Sequence, residues 1–234
     1  MSKQSVFEGD QFPLSNGGFA IVVKYDNYYN IDVVTNNGYK TTTNGLRLKS
    51  GGIKDPFHRS AHGVGFIGSD RHVDGTESYK SWIGIITRCY NPLYHKKTPT
   101  YIDCRVDDAW HNHETFSKWH ASNYVEGFCL DKDLILFGNK IYSPETCIFV
   151  PPRVNSFFHV KSENLRGLPH GVWGRSNGTY RSGTTKKTFK TIEETQEDYW
   201  QGKRQKTNEL IVEYPQFEEL INNYFIKFKE EHNV

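Results

Sequence analysis

"GFCLDKDLILFGNKIYSPETCIFVPPRVNSF", residues 127–157, is the stretch on which the reading of this chain turns. A short apolar run ends at Leu130 and gives way to the polar cluster Asp131-Lys132-Asp133, as a strand does at its solvent end. Phe137-Gly138-Asn139-Lys140 carries the residues of a hairpin-like turn. "YSPETC" follows, then a second apolar run, and Asn155 stands 24 positions after Asp131.

That order, an acid at a strand end, a turn, a second strand and a late Asn, is the order of a ββα-metal unit. Two strands and a helix there hold one hard cation between an early Asp or His and a late Asn or His. The cation offsets charge developing on a phosphate and its leaving oxygen. Around this stretch the chain resembles the HNH-type endonucleases carried by bacteriophages, their homing endonucleases included. The resemblance covers residues 79–158: W-x-x-x-x-x-R-C-Y-N-P from Trp82 to Pro92, W-x-x-x-x-x-F-x-x-W from Trp110 to Trp119, and L-D-K-D through Y-S-P-E-T-C to the closing Asn. It implies that Asp131 and Asn155 ligate a divalent metal, Mg²⁺ or Mn²⁺, with Asn139 or Thr146 bracing the loop. The family places a general-base His after the Asp, and here Lys132 stands in its position. Beside two carboxylates a lysine keeps its proton, so it is a poor base. It would then stabilise the phosphate, with Asp133 or the metal centre providing the nucleophile, or the site would bind DNA without cutting. A charged strand end with a solvated lysine is the plain structural alternative.

The literal letters H-N-H occur elsewhere, at His111, Asn112 and His113. Two residues apart on a helix, those histidines point to different sides, so they predict a polar helix start and not a catalytic motif. Residues 78–125 are otherwise helical in pattern: Trp82, Ile85, Ile86 and Cys89 recur at helical spacing, as do Trp110, Phe116, Trp119 and Tyr124.

Residues 1–75 alternate apolar and polar positions around Asp-Asn, Asn-Asn-Gly and Asn-Gly turn signals, which predicts a small curled sheet or SH3-like barrel. Lys40, Arg47, Lys49 and Lys54 would form a basic rim on its turns, and "HGVGFIGSD" at 62–70 reads as a connector.

From Arg166 to Lys190 there are six Lys or Arg and no acid, interleaved with Trp173, Tyr180 and Phe189. Thr191 is a good N-cap for a helix from Ile192. L-P-x-G-V-x-x-x-x-x-G-x-Y-R followed by F-x-T-x-E-E-T-x-x-x-Y resembles an AP2-type DNA-binding domain, although the stretch between its second and third strands is short. The resemblance implies a sheet set in the major groove, with Trp173, Arg175, Tyr180, Arg181, Lys186 and Lys187 as contacts. The tail from 215 to 234 reads as an amphipathic helix packed on the body, with self-association through its aromatic stripe as the lesser reading.

These readings give an α+β chain in four parts: a β-rich domain at 1–75, an HNH-like unit at 76–160, an AP2-like domain at 161–214 and a helix at 215–234. Net charge is only +2, so bulk electrostatics does not by itself announce a nucleic-acid binder. The four cysteines lack C-x-x-C pairing, which argues against structural Zn²⁺ and for reduced thiols in a cytoplasmic chain. The expected function is metal-dependent cleavage of double-stranded DNA by a monomer or weak homodimer, away from membranes. The alternatives are an inactive DNA-binding regulator or competitor on a nuclease scaffold, or a phage factor that binds a host protein.

Overall fold

The computed structural model describes residues 6–69, 73, 75–157 and 167–232. Asp70, Arg166 and the expected boundary at 160/161 lie outside them. The fold is mixed α+β. In chain order the elements are β1 (Gln11–Pro13), β2 (Phe19–Asn27), β3 (Asn30–Thr35), β4 (Lys40–Thr43), α1 (Gly45–Lys49), α2 (Glu77–Tyr90), α3 (Pro92–Lys97), β5 (Arg105–Val106), α4 (His113–Asn123), β6 (Cys129–Asp131), β7 (Ile141–Tyr142), β8 (Ile148–Val150), α5 (Pro152–Phe157), β9 (Val172–Gly174), β10 (Tyr180–Ser182), β11 (Thr188–Phe189), α6 (Ile192–Glu213) and α7 (Glu218–His232). No helix among the described residues is long and apolar enough to cross a membrane.

The chain divides into two compact units, one of residues 1–122 with 141–143, the other of 123–140 with 144–234. This grouping differs from four consecutive parts. The helices α2 and α4 fold with the N-terminal sheet, while the 127–157 stretch, its β7 residues apart, folds with the C-terminal sheet and helices.

In the first unit, β1 to β4 form an antiparallel meander in sequence order, with bulges in β2 at Val22/Lys24 and Tyr25/Asn27. Ala20, Val22, Ile31 and Val33 alternate onto one face and are buried with Leu14, Leu48 and Ile53. β1 and β4 are the edges, so the described strands form an open sheet, and barrel closure is not seen. Asn44-Gly45 is a helix start and not a hairpin turn: the Asn44 side chain accepts the Arg47 N–H and opens α1. Arg47 and Lys49 therefore sit on a helix, while Lys40 opens β4. Trp82, Trp110 and Phe116 are fully buried, and the Trp82 indole donates to the Trp110 carbonyl at 2.7 Å. His111 and His113 belong to this packing. The Phe66 N–H bonds the His111 carbonyl and the His113 N–H bonds the Phe66 carbonyl, so the expected connector bridges the two.

The second unit has one continuous core. Leu134, Val150 and Val154 bury against Tyr199, Trp200 and Leu210 of α6 and Ile221, Phe225 and Phe228 of α7. The aromatic stripe of the C-terminal helix thus closes the core that β6, β8 and α5 open on their own. A three-stranded antiparallel sheet in the order β11-β10-β9 packs on α6, which starts with a capping box between Thr191 and Glu194.

Candidate metal centre and nucleic-acid face

β6 and β8 pair antiparallel, Asp131 opposite Ile148, and α5 follows β8 after Pro151. The two strands and the helix bring Asp131 and Asn155 onto one cavity of about 30 Å³, lined also by Asp133, Leu134, Val150, Val154 and Tyr224. That volume holds a single water or ion.

Asp131 ends its strand by turning the backbone on itself. Its Oδ1 accepts the N–H of Asp133 at 2.8 Å and of Leu134 at 2.6 Å. Oδ2 has no hydrogen-bond partner among the described residues, and neither has the Asn155 side-chain amide. Burial pushes the Asp131 carboxyl above the usual carboxylate range; the two N–H bonds pull it back in part, and the Asp133 charge adds to the rise. A half-buried carboxylate with one oxygen idle and its proton affinity raised is held in a state that a cation would relieve.

Lys132 points elsewhere. Its amine is buried and donates to both oxygens of Asp133 at 2.7 Å and to the Asn139 carbonyl at 2.8 Å. Asn139 returns a bond from its Nδ2 to the Lys132 carbonyl at 2.8 Å. This reciprocal pair spans the turn between β6 and β7 and fixes the backbone that carries Asp131. Two roles expected of the motif are altered by it. Lys132 is not a solvated lysine, and it does not line the cavity in which it would have touched a phosphate. Asp133 lines the cavity, yet its carboxylate is neutralised by Lys132 and is a weak source of a nucleophile. Asn139 ties the loop, whereas Thr146 is half-buried before β8 and does not line the cavity.

The available donors are hard: a carboxylate oxygen and an amide oxygen, with no His or Cys among the described lining residues. They suit Mg²⁺ or Mn²⁺ and not Zn²⁺. The described residues contain no cluster of three His, Cys, Asp or Glu that would enclose an ion. Mg²⁺ needs no such cluster, since it binds through one or two carboxylates while keeping waters and taking up substrate phosphates. The residues present fit that ion.

Tyr224 of α7 is a site residue that sequence reasoning missed. Its hydropathy pattern marks it only as one ring in an apolar stripe. Burial pushes its hydroxyl pKa up, and the charges of Asp133 and Asp131 push it further.

On the C-terminal sheet, strand alternation decides which side chains face outward. Trp173 pairs with Arg181, and Arg181 with Thr188. With Arg175 and Lys186 they line a broad open depression of about 700 Å³. Trp173 is 49 % exposed there. Arg175 donates to the Thr188 hydroxyl at 3.2 Å, and Arg181 to the Lys186 carbonyl at 3.2 Å, which aligns the cations across the strands. Lys186 occupies the left-handed region with φ 67° in the turn before β11. Two of the six expected contacts are elsewhere. Tyr180 pairs with Gly174 and Phe189 and shares its side of β10 with fully buried Ser182. Lys187 lies 3.8 Å from Asp198 of α6. In comparisons with known proteins, the chain matches no family model, no curated protein and no solved structure.

Proposed function

We propose that this chain is a divalent-metal-dependent DNA endonuclease with a ββα-metal centre at Asp131 and Asn155. One observation carries the reading: the second carboxylate oxygen of Asp131, at the end of β6, and the side-chain amide of Asn155, on α5, have no hydrogen-bond partner among the described residues, and both residues line one cavity the size of an ion. Asp131 Oδ2 and the Asn155 amide oxygen would hold the metal, which when bound supplies positive charge beside the scissile phosphate. The Lys132–Asn139 tie keeps the Asp131 turn in place without taking part in proton transfer. Arg175, Arg181 and Lys186 neutralise backbone phosphates, and Trp173 offers an exposed ring to a sugar or base. A cationic face is needed because so small a centre contacts too little duplex to hold it.

A second reading, a duplex-binding protein of the same build that does not cut, is favoured by Lys132, which stands where a base is expected and is bonded into the loop. Purified protein incubated with supercoiled plasmid and Mg²⁺ or Mn²⁺ separates the two. The nuclease reading expects open-circular or linear product, abolished by EDTA, by Asp131→Ala and by Asn155→Ala, with duplex affinity kept in both variants. Intact plasmid under a clear gel shift supports the second reading and sinks the first.

A further inference from the structure

We propose that Ile135 and Leu136 form an apolar wedge that enters the minor groove beside the scissile phosphate and parts one base step. The inference rests on the nuclease reading above and deepens it, since it makes the substrate a duplex that unstacks at the point of cutting.

The two side chains stand at the tip of the loop from β6 to β7, 41 % and 55 % exposed. Bonds within the loop close it. Lys132 and Asn139 bond reciprocally at its base, and the Asn139 N–H donates to the Leu136 carbonyl at 3.1 Å. On either side of the tip the chain is pinned inward. Leu134 is buried in the core, and the Phe137 ring meets the Tyr224 ring edge-on at 4.8 Å. A stiff frame therefore presents two branched aliphatics to solvent, and little ordering is left to be done when they are covered.

Their position says what covers them. Asp131, Asp133 and Leu134 line the candidate metal cavity, and the Asp131 carboxylate also holds the Leu134 N–H. Two residues of chain reach at most about 7 Å, so Leu136 lies close to that cavity. A phosphate held there brings a minor groove about 6 Å wide against the tip. Aliphatic side chains gain nothing from phosphates. The apolar surface that a duplex offers them is the faces of its bases, reached by parting a step from the minor groove. Exposed Lys140 follows the loop and adds a cation for the flanking backbone. Parting is easiest at a pyrimidine–purine step or a mismatch, so nicking should favour those places.

The test uses the full chain with Ile135→Ser and Leu136→Ser together, on duplexes built around a nick position mapped on plasmid. The variant should nick the matched duplex about 10- to 100-fold more slowly than wild type, the scale of one unstacked step. On the same duplex with a mismatch at that step, it should come within about 2-fold of wild type. In EDTA, 2-aminopurine beside the step should brighten when wild type binds and stay dim with the variant. Equal losses on both duplexes, or no loss on either, overturn the wedge and leave the nuclease reading standing. Sedimentation that shows a wild-type dimer and a monomeric variant also overturns it, because the tip would then join two copies. If the wild-type chain nicks no DNA with either metal, both readings fall. Should the double variant melt well below wild type, Leu136→Ala alone decides by the same comparison of matched and mismatched rates.

Discussion

Lys132 and Asp133 are neighbours in sequence, yet the Lys132 amine folds back to meet both oxygens of that carboxylate at 2.7 Å while the chain between them turns under Asp131. A charged pair so placed, with the Lys132 side chain 9 % and the Asp133 side chain 32 % exposed, ties the turn. It does not reach for a ligand.

Lys132→Met should therefore lower stability by about 1–3 kcal/mol, the loss of bonds between charged or buried polar partners. Urea denaturation measures it. Cutting per folded molecule should fall much less than in Asp131→Ala. Full stability with abolished cutting would show instead that Lys132 acts on the phosphate.

Asp131→Asn separates stability from metal binding. The amide oxygen can still accept the N–H groups of Asp133 and Leu134, while the half-buried charge disappears. Because the folded carboxyl sits above its ordinary value, ionising it costs stability as pH rises through that range, and the cost persists at neutral pH. The variant should melt at a higher Tm than wild type at pH 7 in EDTA and lose the stabilisation that added Mn²⁺ gives the wild type. Melting curves with and without Mn²⁺ test both halves, and a lower Tm in EDTA would refute the first.

Arg181→Ala should weaken duplex binding and reduce the slope of log K against log salt by about 1. Lys187→Ala, whose amine lies near Asp198, should change that slope less. Fluorescence anisotropy over a salt series distinguishes the two, and equal slopes would mean that the outer face of β10 is not the contact surface.

Lys203 of α6 gives the second unit a pH signature. Burial, and after it the nearby Lys206 charge, bring its pKa down to about 8, and its amine donates to the Phe157 carbonyl at 2.6 Å. A lysine with a depressed folded pKa binds fewer protons folded than unfolded across the window from about 8 to its ordinary 10.5. Stability of this unit should therefore rise with pH through that window. Lys203→Met should flatten the rise, as followed by denaturation at pH 7.5, 9 and 10.

The candidate centre was largely legible because its chemistry is local. Asp131, Asn139 and Asn155 stand within 25 residues, and turn residues and strand ends act over such distances. The role of Lys132 was not legible, since an amine on a flexible stem can fold back or reach out, and only the Asn139 carbonyl decides which. Tyr224 was hidden because an aromatic at helical spacing looks the same whether it fills a core or walls a cavity. The grouping of elements was hidden for a similar reason. α2, α4 and α7 each carry an apolar stripe, so pattern alone does not say which of them covers Val150 and Val154. Tyr180 is different: it precedes Arg181 on a strand, so period-two alternation already placed the two on opposite faces. Asn44-Gly45 shows the limit of turn signals, because Asn is as good a helix cap as it is a hairpin residue.

The strand β7 belongs to the first unit, where it pairs in parallel with β5, although it is reached only after β6 has been laid down for the second. The polypeptide therefore passes between its two units three times, and neither can be excised by one cut. During synthesis the N-terminal unit cannot close its last sheet until Ile141 and Tyr142 have left the ribosome. Limited proteolysis in the 123–140 segment would cut the covalent link from α4 to β7 as surely as it would open the candidate metal centre, so the two units are bound by covalent topology to a common fate.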